Sequence, residues 1–226
     1  MALIPYLAMT AGEILENGAF PQRLALMVSR TGLREIPGWI PSGGILLLTD
    51  AQPPQPEDLE VLKGFVREGR FSMVILDFQV HGREENRVFA ARAANELDSP
   101  VCVTAEYART LDCPVLLPPV PLDVPVEEYL APWKGREIWL EAALDGMTVT
   151  VDEKGAHAVA QLRGQPAERE REEAQLCCRY SMKLGENAVF SLRRTEEDLR
   201  RLLEKAEAYG AAGAVGLYQE LAGFRE

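Results

Sequence analysis

The polar residues that could do chemistry in this chain stand at the ends of short apolar runs. Asp50 follows ILLLT, Asp77 and Gln79 close VILDFQ, Glu106 follows VCVTA, Glu141 follows EIWL, Tyr180 falls in CCRY, and Tyr218 and Glu220 in GLYQE. Acids dominate this set. Carboxylates converging on one pocket suit hydrolysis of a glycosidic bond, where one group donates a proton while another steadies an oxocarbenium-like centre; they suit simple sugar binding equally well. Taken singly, each acid more readily caps a following helix or pairs with an arginine. Asp50, directly before a Pro-rich loop, is the foremost case.

Other chemistries find less support. His81 and His157 are the only histidines, and without a GxSxG elbow a Ser/His/Asp or Cys/His apparatus is hard to assemble. His81 follows a strand and is a candidate to line a site; His157 falls in a hairpin. Neither GxGxxG nor GxxxxGK(S/T) occurs, so no nucleotide cofactor is expected. Cys102, Cys113, Cys177 and Cys178 lack zinc-site spacing, so no metal is expected either. Cys102 and Cys113 lie in or beside Val-rich runs and read as small buried hydrophobes in a reducing compartment.

The elements that must position these residues follow from the alternation of apolar runs with polar, helix-like stretches. The runs are LALMVS from Leu24, ILLLTD from Ile45, MVILDF from Met73, VCVTAE from Val101, PVLLPP from Pro114, EIWLEA from Glu137, CCRYSM from Cys177 and AVGLYQ from Ala214. Eight runs predict an α/β fold, a small irregular (β/α)8 TIM-type barrel formed as one domain over 1–226, with its site at the C-terminal strand ends. Helices are expected over Glu57–Glu68, Glu84–Leu97 and Thr195–Tyr209, the last with Thr195 as N-cap, Asp198 in the capping-box position and Gly210 as the stop. The connection Tyr107–Cys113 is too short for a crossover helix, and the next is broken by Pro118, Pro119, Pro121 and Pro125.

After the sixth run the pattern changes. MTVTV alternates at period two, DEKG reads as a turn and AHAVAQL alternates again, which predicts an antiparallel β-hairpin insertion over about 144–162. Its exposed edge offers a surface for a homodimer. The following AEREREEAQ has no apolar face and is expected to be a solvated helix or loop.

Composition sets the remaining bounds. The 226 residues are 47% hydrophobic and 26% charged, with a formal net charge of −11. That charge repels nucleic acid and anionic membrane surfaces, neither of which is an expected partner. The opening MALIPYLAMTAG carries no basic residue before its apolar run and makes a poor signal peptide. No run approaches the ~18 apolar residues of a spanning helix. A cytoplasmic location is expected.

The run SMVILDFQ, Ser72–Gln79, resembles the catalytic strand of chitinase-like barrels, glycoside hydrolase family 18, whose pattern is DxxDxDxE. Ser72 stands at the first Asp, Ile75 at the second, Asp77 matches the third, and Gln79 stands where the family carries its catalytic Glu. The stretch VFSLRRTEEDLRRLLEKAEAYGAAGAVGLYQEL looks like the family's last helix and strand, with Tyr218 at an aromatic position that is commonly Trp. The chain thus resembles short, divergent family-18-like bacterial proteins. The resemblance implies a pocket for a carbohydrate or similar polar small molecule. It also implies that general acid catalysis from position 79 is lost, because an amide has no titratable proton. Asp77, Gln79, Asp50, Tyr180, Tyr218 and Glu220 would then bind ligand with little or no hydrolysis. Two alternatives stay open: an active hydrolase whose acid is relocated to Glu141 or Glu106 beside Asp77, and a non-catalytic scaffold. Tyr107, Tyr180, Tyr218 and Trp139 are the aromatic candidates for stacking on a sugar, Trp139 being expected in the core.

Overall fold

Strands that are apolar on both faces need cover on both, and this chain provides it by closing its parallel sheet into a barrel and wrapping helices outside. The computed structural model describes residues 3–17, 21–29, 33, 43–49, 54–80, 82–161 and 164–224. The barrel strands are β1 (Tyr6–Met9), β2 (Leu24–Ser29), β3 (Ile45–Thr49), β4 (Met73–Asp77), β5 (Val101–Thr104), β6 (Val115–Leu117) and β7 (Ile138–Glu141). An inserted sheet follows, made of β8 (Gly146–Asp152), β9 (Gly155–Gln161), β10 (Arg171–Glu173), β11 (Cys178–Leu184) and β12 (Ala188–Arg193); β13 (Ala211–Leu217) then closes the barrel between β7 and β1.

Side-chain alternation fixes which residues look into the barrel. In β4, Met73 and Ile75 join the inner cluster while Val74 and Leu76 join the outer one. In β7, Trp139 is inner and Ile138 and Leu140 are outer. Two residues further on, the inner phase of each strand reaches an acid, Asp77 and Glu141. Beneath them, Ala25, Ile45, Ile75, Cys102, Trp139 and Val215 fill the interior. The Trp139 ring fits because β13 opposes it with Gly213, where a Cβ would come within 2.5 Å of the ring. Trp139 is therefore core, as expected.

The helices are α1 (Ala11–Asn17), α2 (Asp58–Gly69), α3 (Glu84–Glu96), α4 (Ala105–Ala108), α5 (Val126–Leu130), α6 (Glu196–Ala208) and α7 (Tyr218–Leu221). The three long ones match the helices read from periodicity. α2 buries Leu59, Leu62, Phe65 and Val66, and α6 buries Leu199, Leu202, Leu203 and Ala206. At the start of α6 the Asp198 amide donates to Thr195 Oγ1 (3.2 Å) and the Thr195 amide donates to Asp198 Oδ2 (3.0 Å). Such a cap contributes roughly 1 kcal/mol. Gly210, at φ 98°, ends the segment where other residues would be strained. The connection after β5 holds only the single turn α4, as its length requires. Among the described residues no helix is long and apolar enough to cross a membrane.

The fold class is the expected one, but two strands change places. The eighth barrel strand is β1, YLAM, a run set aside above as a poor signal sequence; it pairs with β13 and β2. CCRYSM is not a barrel strand. Its residues form most of β11, which lies antiparallel between β10 and β12. The insertion therefore follows the seventh barrel strand, and the expected hairpin, β8 with β9, is part of a five-stranded antiparallel sheet in the order β10-β11-β12-β8-β9. Leu162, the expected hairpin end, lies outside the described residues. AEREREEAQ is loop and turn, as expected, except at its centre, where Arg171–Glu173 form the short exposed strand β10.

The inserted sheet is amphipathic. Met182, Phe190, Val149 and Ala158 form one cross-strand row, and Leu184, Ala188, Val151 and Ala156 the next on the same face. The other face carries Arg179, which donates to Asp198 (3.1 Å) and Glu197 (3.2 Å) of α6. Arg194, just past β12, anchors the sheet to the barrel. Its amide donates to the Asp145 carbonyl (2.9 Å), and its buried guanidinium to those of Val120 (3.1 Å) and Cys177 (3.2 Å).

Candidate functional site

A cavity of about 240 Å³ opens at the C-terminal end of the barrel. Its aliphatic wall includes Met27, Leu47, Leu116, Val215 and Leu217, and its polar groups are Asp77, Gln79, Glu141, Asp145 and Glu220. Gly216 forms part of the wall because the chain after β7 passes close by: a Cβ there would sit 2.4 Å from the Ala142 carbonyl. Pairing continues past β7, with the Ala142 amide donating to the Val215 carbonyl (2.7 Å). That extension carries Ala142, Ala143 and Asp145 over the mouth.

Asp77 is 8% exposed. Burial raises its carboxyl above the ordinary range, opposed by the Gln79 amide. The Gln79 Nε2 donates to both Asp77 oxygens, at 3.3 and 3.2 Å. Glu141 is pushed up to about 7, first by burial, then by the nearby charges of Asp77 and Asp145. Burial also raises Asp145, against the pull of Arg194. The Glu141 charge is felt in turn by Tyr129, whose hydroxyl, lifted to about 12 mainly by burial, donates to the Pro118 carbonyl (3.0 Å). The lining holds four carboxylates and, among the described residues, neither a basic side chain nor an aromatic ring. An anion would be repelled there, whereas a neutral polyol or a cation would meet acceptors on one side and aliphatic surface on the other.

Of the residues singled out in the sequence, the cavity gathers Asp77, Gln79, Glu141 and Glu220. Glu106, in α4, accepts from the Gly82 amide (2.5 Å) and is not part of the lining. Tyr180 lies on the inserted sheet, stacked on Phe190 with ring centroids 6.4 Å apart. Tyr218 begins α7 and packs against the outer core. Tyr107 is buried, its hydroxyl donating to the Val80 carbonyl (2.6 Å). Asp50 and His81 lie outside the described residues. Asp145 was not anticipated; an acid four residues past Glu141 in EAALD was the available signal. Among the described residues no group of three or more His, Cys, Asp or Glu is arranged to hold a metal ion, and all four cysteines are free.

Solved structures share this architecture. The C-terminal domain of a putative chitinase from Desulfitobacterium hafniense matches 96% of this chain and 94% of its own, with TM-score 0.52 and 11% identity. A chitinase from Chromobacterium violaceum matches 95% of this chain and 94% of its own, with TM-score 0.51 and 11% identity. This is a chitinase-like barrel fold. The spore cortex-lytic enzyme SleL of Bacillus cereus matches 76% of this chain, which spans only 55% of that one, with TM-score 0.50 and 12% identity. No protein-family model and no curated protein matches the sequence. At these identities the chitinase-like likeness is one of fold.

Proposed function

We propose that the protein binds a neutral or cationic carbohydrate ring at the C-terminal mouth of its barrel, without hydrolysis driven from position 79. One observation carries this reading: Gln79 holds Asp77 through its amide nitrogen, so the position facing the acid offers hydrogen bonds but no transferable proton. Losing one general acid costs ~10²- to 10⁴-fold in rate. The cavity is smaller than the ~300 Å³ at which drug-sized pockets begin, which suits a single ring held at its hydroxyls. Asp77, Glu141 and Asp145 supply acceptors, and Met27, Leu47 and Leu217 an aliphatic floor and rim.

A second reading is favoured by Glu141. A carboxyl that titrates at about 7 beside a second carboxylate has the protonation of a general acid near neutrality. In that reading Glu141 donates the proton and Asp77 steadies the positive centre. Glu106, engaged with Gly82, is not favoured for this role.

Thermal-shift titration with chito-oligosaccharides, their de-N-acetylated counterparts and an acidic sugar tests the proposal, with released reducing ends assayed in parallel. Stabilisation by the first two classes, lost in Asp77→Ala and without product, is the expected result. Product that disappears in Glu141→Gln would instead establish the relocated acid. No stabilisation by any sugar would overturn carbohydrate binding.

A further inference from the structure

The inserted sheet has two edges of opposite character. β10 is three residues long and fully charged (Arg171, Glu172, Glu173), and Arg201 of α6 and Arg179 of β11 both reach Glu172. Short length and charge are the means by which natural sheets prevent further strands from adding. β9 lacks both. It is seven residues long, GAHAVAQ, with neither proline nor lysine, arginine, aspartate or glutamate. Residues 155–160 are all exposed, Val159 by 61%. Among the described residues β9 pairs with β8 on one side and ends the sheet on the other, with a row of outward N–H and C=O groups. The apolar row that runs through Met182, Phe190 and Val149 stops there, at Ala158.

We propose that β9 pairs antiparallel with β9 of a second copy of this chain about a twofold axis, extending the sheet to ten strands. A twofold interface must be self-complementary. β9 meets this demand because it brings no like charges into opposition, despite the chain's net charge of −11. The twofold axis continues the apolar row of one copy into that of the other. The pairing is independent of what the cavity binds. A single strand edge buries less than the ~1,200 Å² of a stable interface, so the dimer is weak and forms with rising concentration.

Sedimentation velocity of the full chain from micromolar to high-micromolar concentration tests the pairing, together with hydrogen exchange at both extremes. The expected result is a concentration-dependent dimer, with exchange slowing in β9 and not in β10. Ala158→Lys combined with Val159→Lys places like charges across the axis and abolishes the dimer while the unfolding temperature stays near that of the parent. A chain that remains monomeric throughout, a dimer that survives both lysines, or protection gained away from β9 would each overturn the proposal.

Discussion

Two corners of the barrel mouth each hold a carboxylate two residues past an inner core side chain, and treat it differently. At the end of β4, Asp77 is buried but receives an amide donor from Gln79, which offsets part of the cost of its charge. At the end of β7, Glu141 has burial and two neighbouring acids, all acting in one direction, and reaches about 7. The contrast shows that strand-end position decides only that an acid enters the site; its protonation at neutral pH is decided by what the next loop brings beside it.

The largest test of this contrast is to make the two corners alike. Gln79→Glu replaces the amide donor with a titratable acid, and release of reducing ends from a chito-oligosaccharide is expected to rise by ~10² to 10⁴ over the parent. An unchanged rate would show that the β4 corner lacks more than a proton.

Next in size is Glu141→Gln. A carboxyl whose folded value lies above its unfolded one stabilises the protein while protonated and loses that contribution as pH rises. For Glu141 the window runs from its ordinary 4.5 up to about 7. Below it the substitution should leave stability unchanged. Above it the variant should exceed the parent by up to about 3 kcal/mol, relaxation around the charge reducing the gain. Urea denaturation at the two ends of the window measures the difference. A parent whose stability is flat across the window would contradict the crowding of acids at this corner.

The smallest effect apportions that crowding. Asp77→Asn and Asp145→Asn should each lower the Glu141 value, Asp77→Asn by more because Asp77 is the larger of the two charge influences. Carboxyl-carbon NMR titration of Glu141 resolves the order, and the reverse order would make Asp145 the larger of the two charge influences.

The β4 corner was legible in the sequence because period-two alternation in MVILDFQ places Asp77 and Gln79 on the inner phase of Met73 and Ile75. Glu141 was legible for the same reason, two residues past Trp139. Asp145 was not, since it stands past the strand end and reaches the mouth through pairing of Ala142 with Val215, a contact between distant segments. β1 was missed because four residues cannot display a period that separates a strand from any short apolar run. CCRYSM was misplaced although Cys178, Tyr180 and Met182 alternate with Arg179, Ser181 and Lys183. That alternation marks a half-covered antiparallel strand, whereas barrel strands are apolar on both faces. The helix after Thr195 was read nearly to the residue because its cap, stripe and stop are all local.

Arg194 has a consequence for how the inserted sheet is held to the barrel. One residue fastens the loops after β6 and β7 and the start of β11 at a single point, through its amide and two guanidinium nitrogens. The sheet is thus tied to the rim of the cavity at the backbone of Asp145, and shortening the Arg194 side chain would strip the Val120 and Cys177 carbonyls of this donor while leaving the amide link to Asp145 in place.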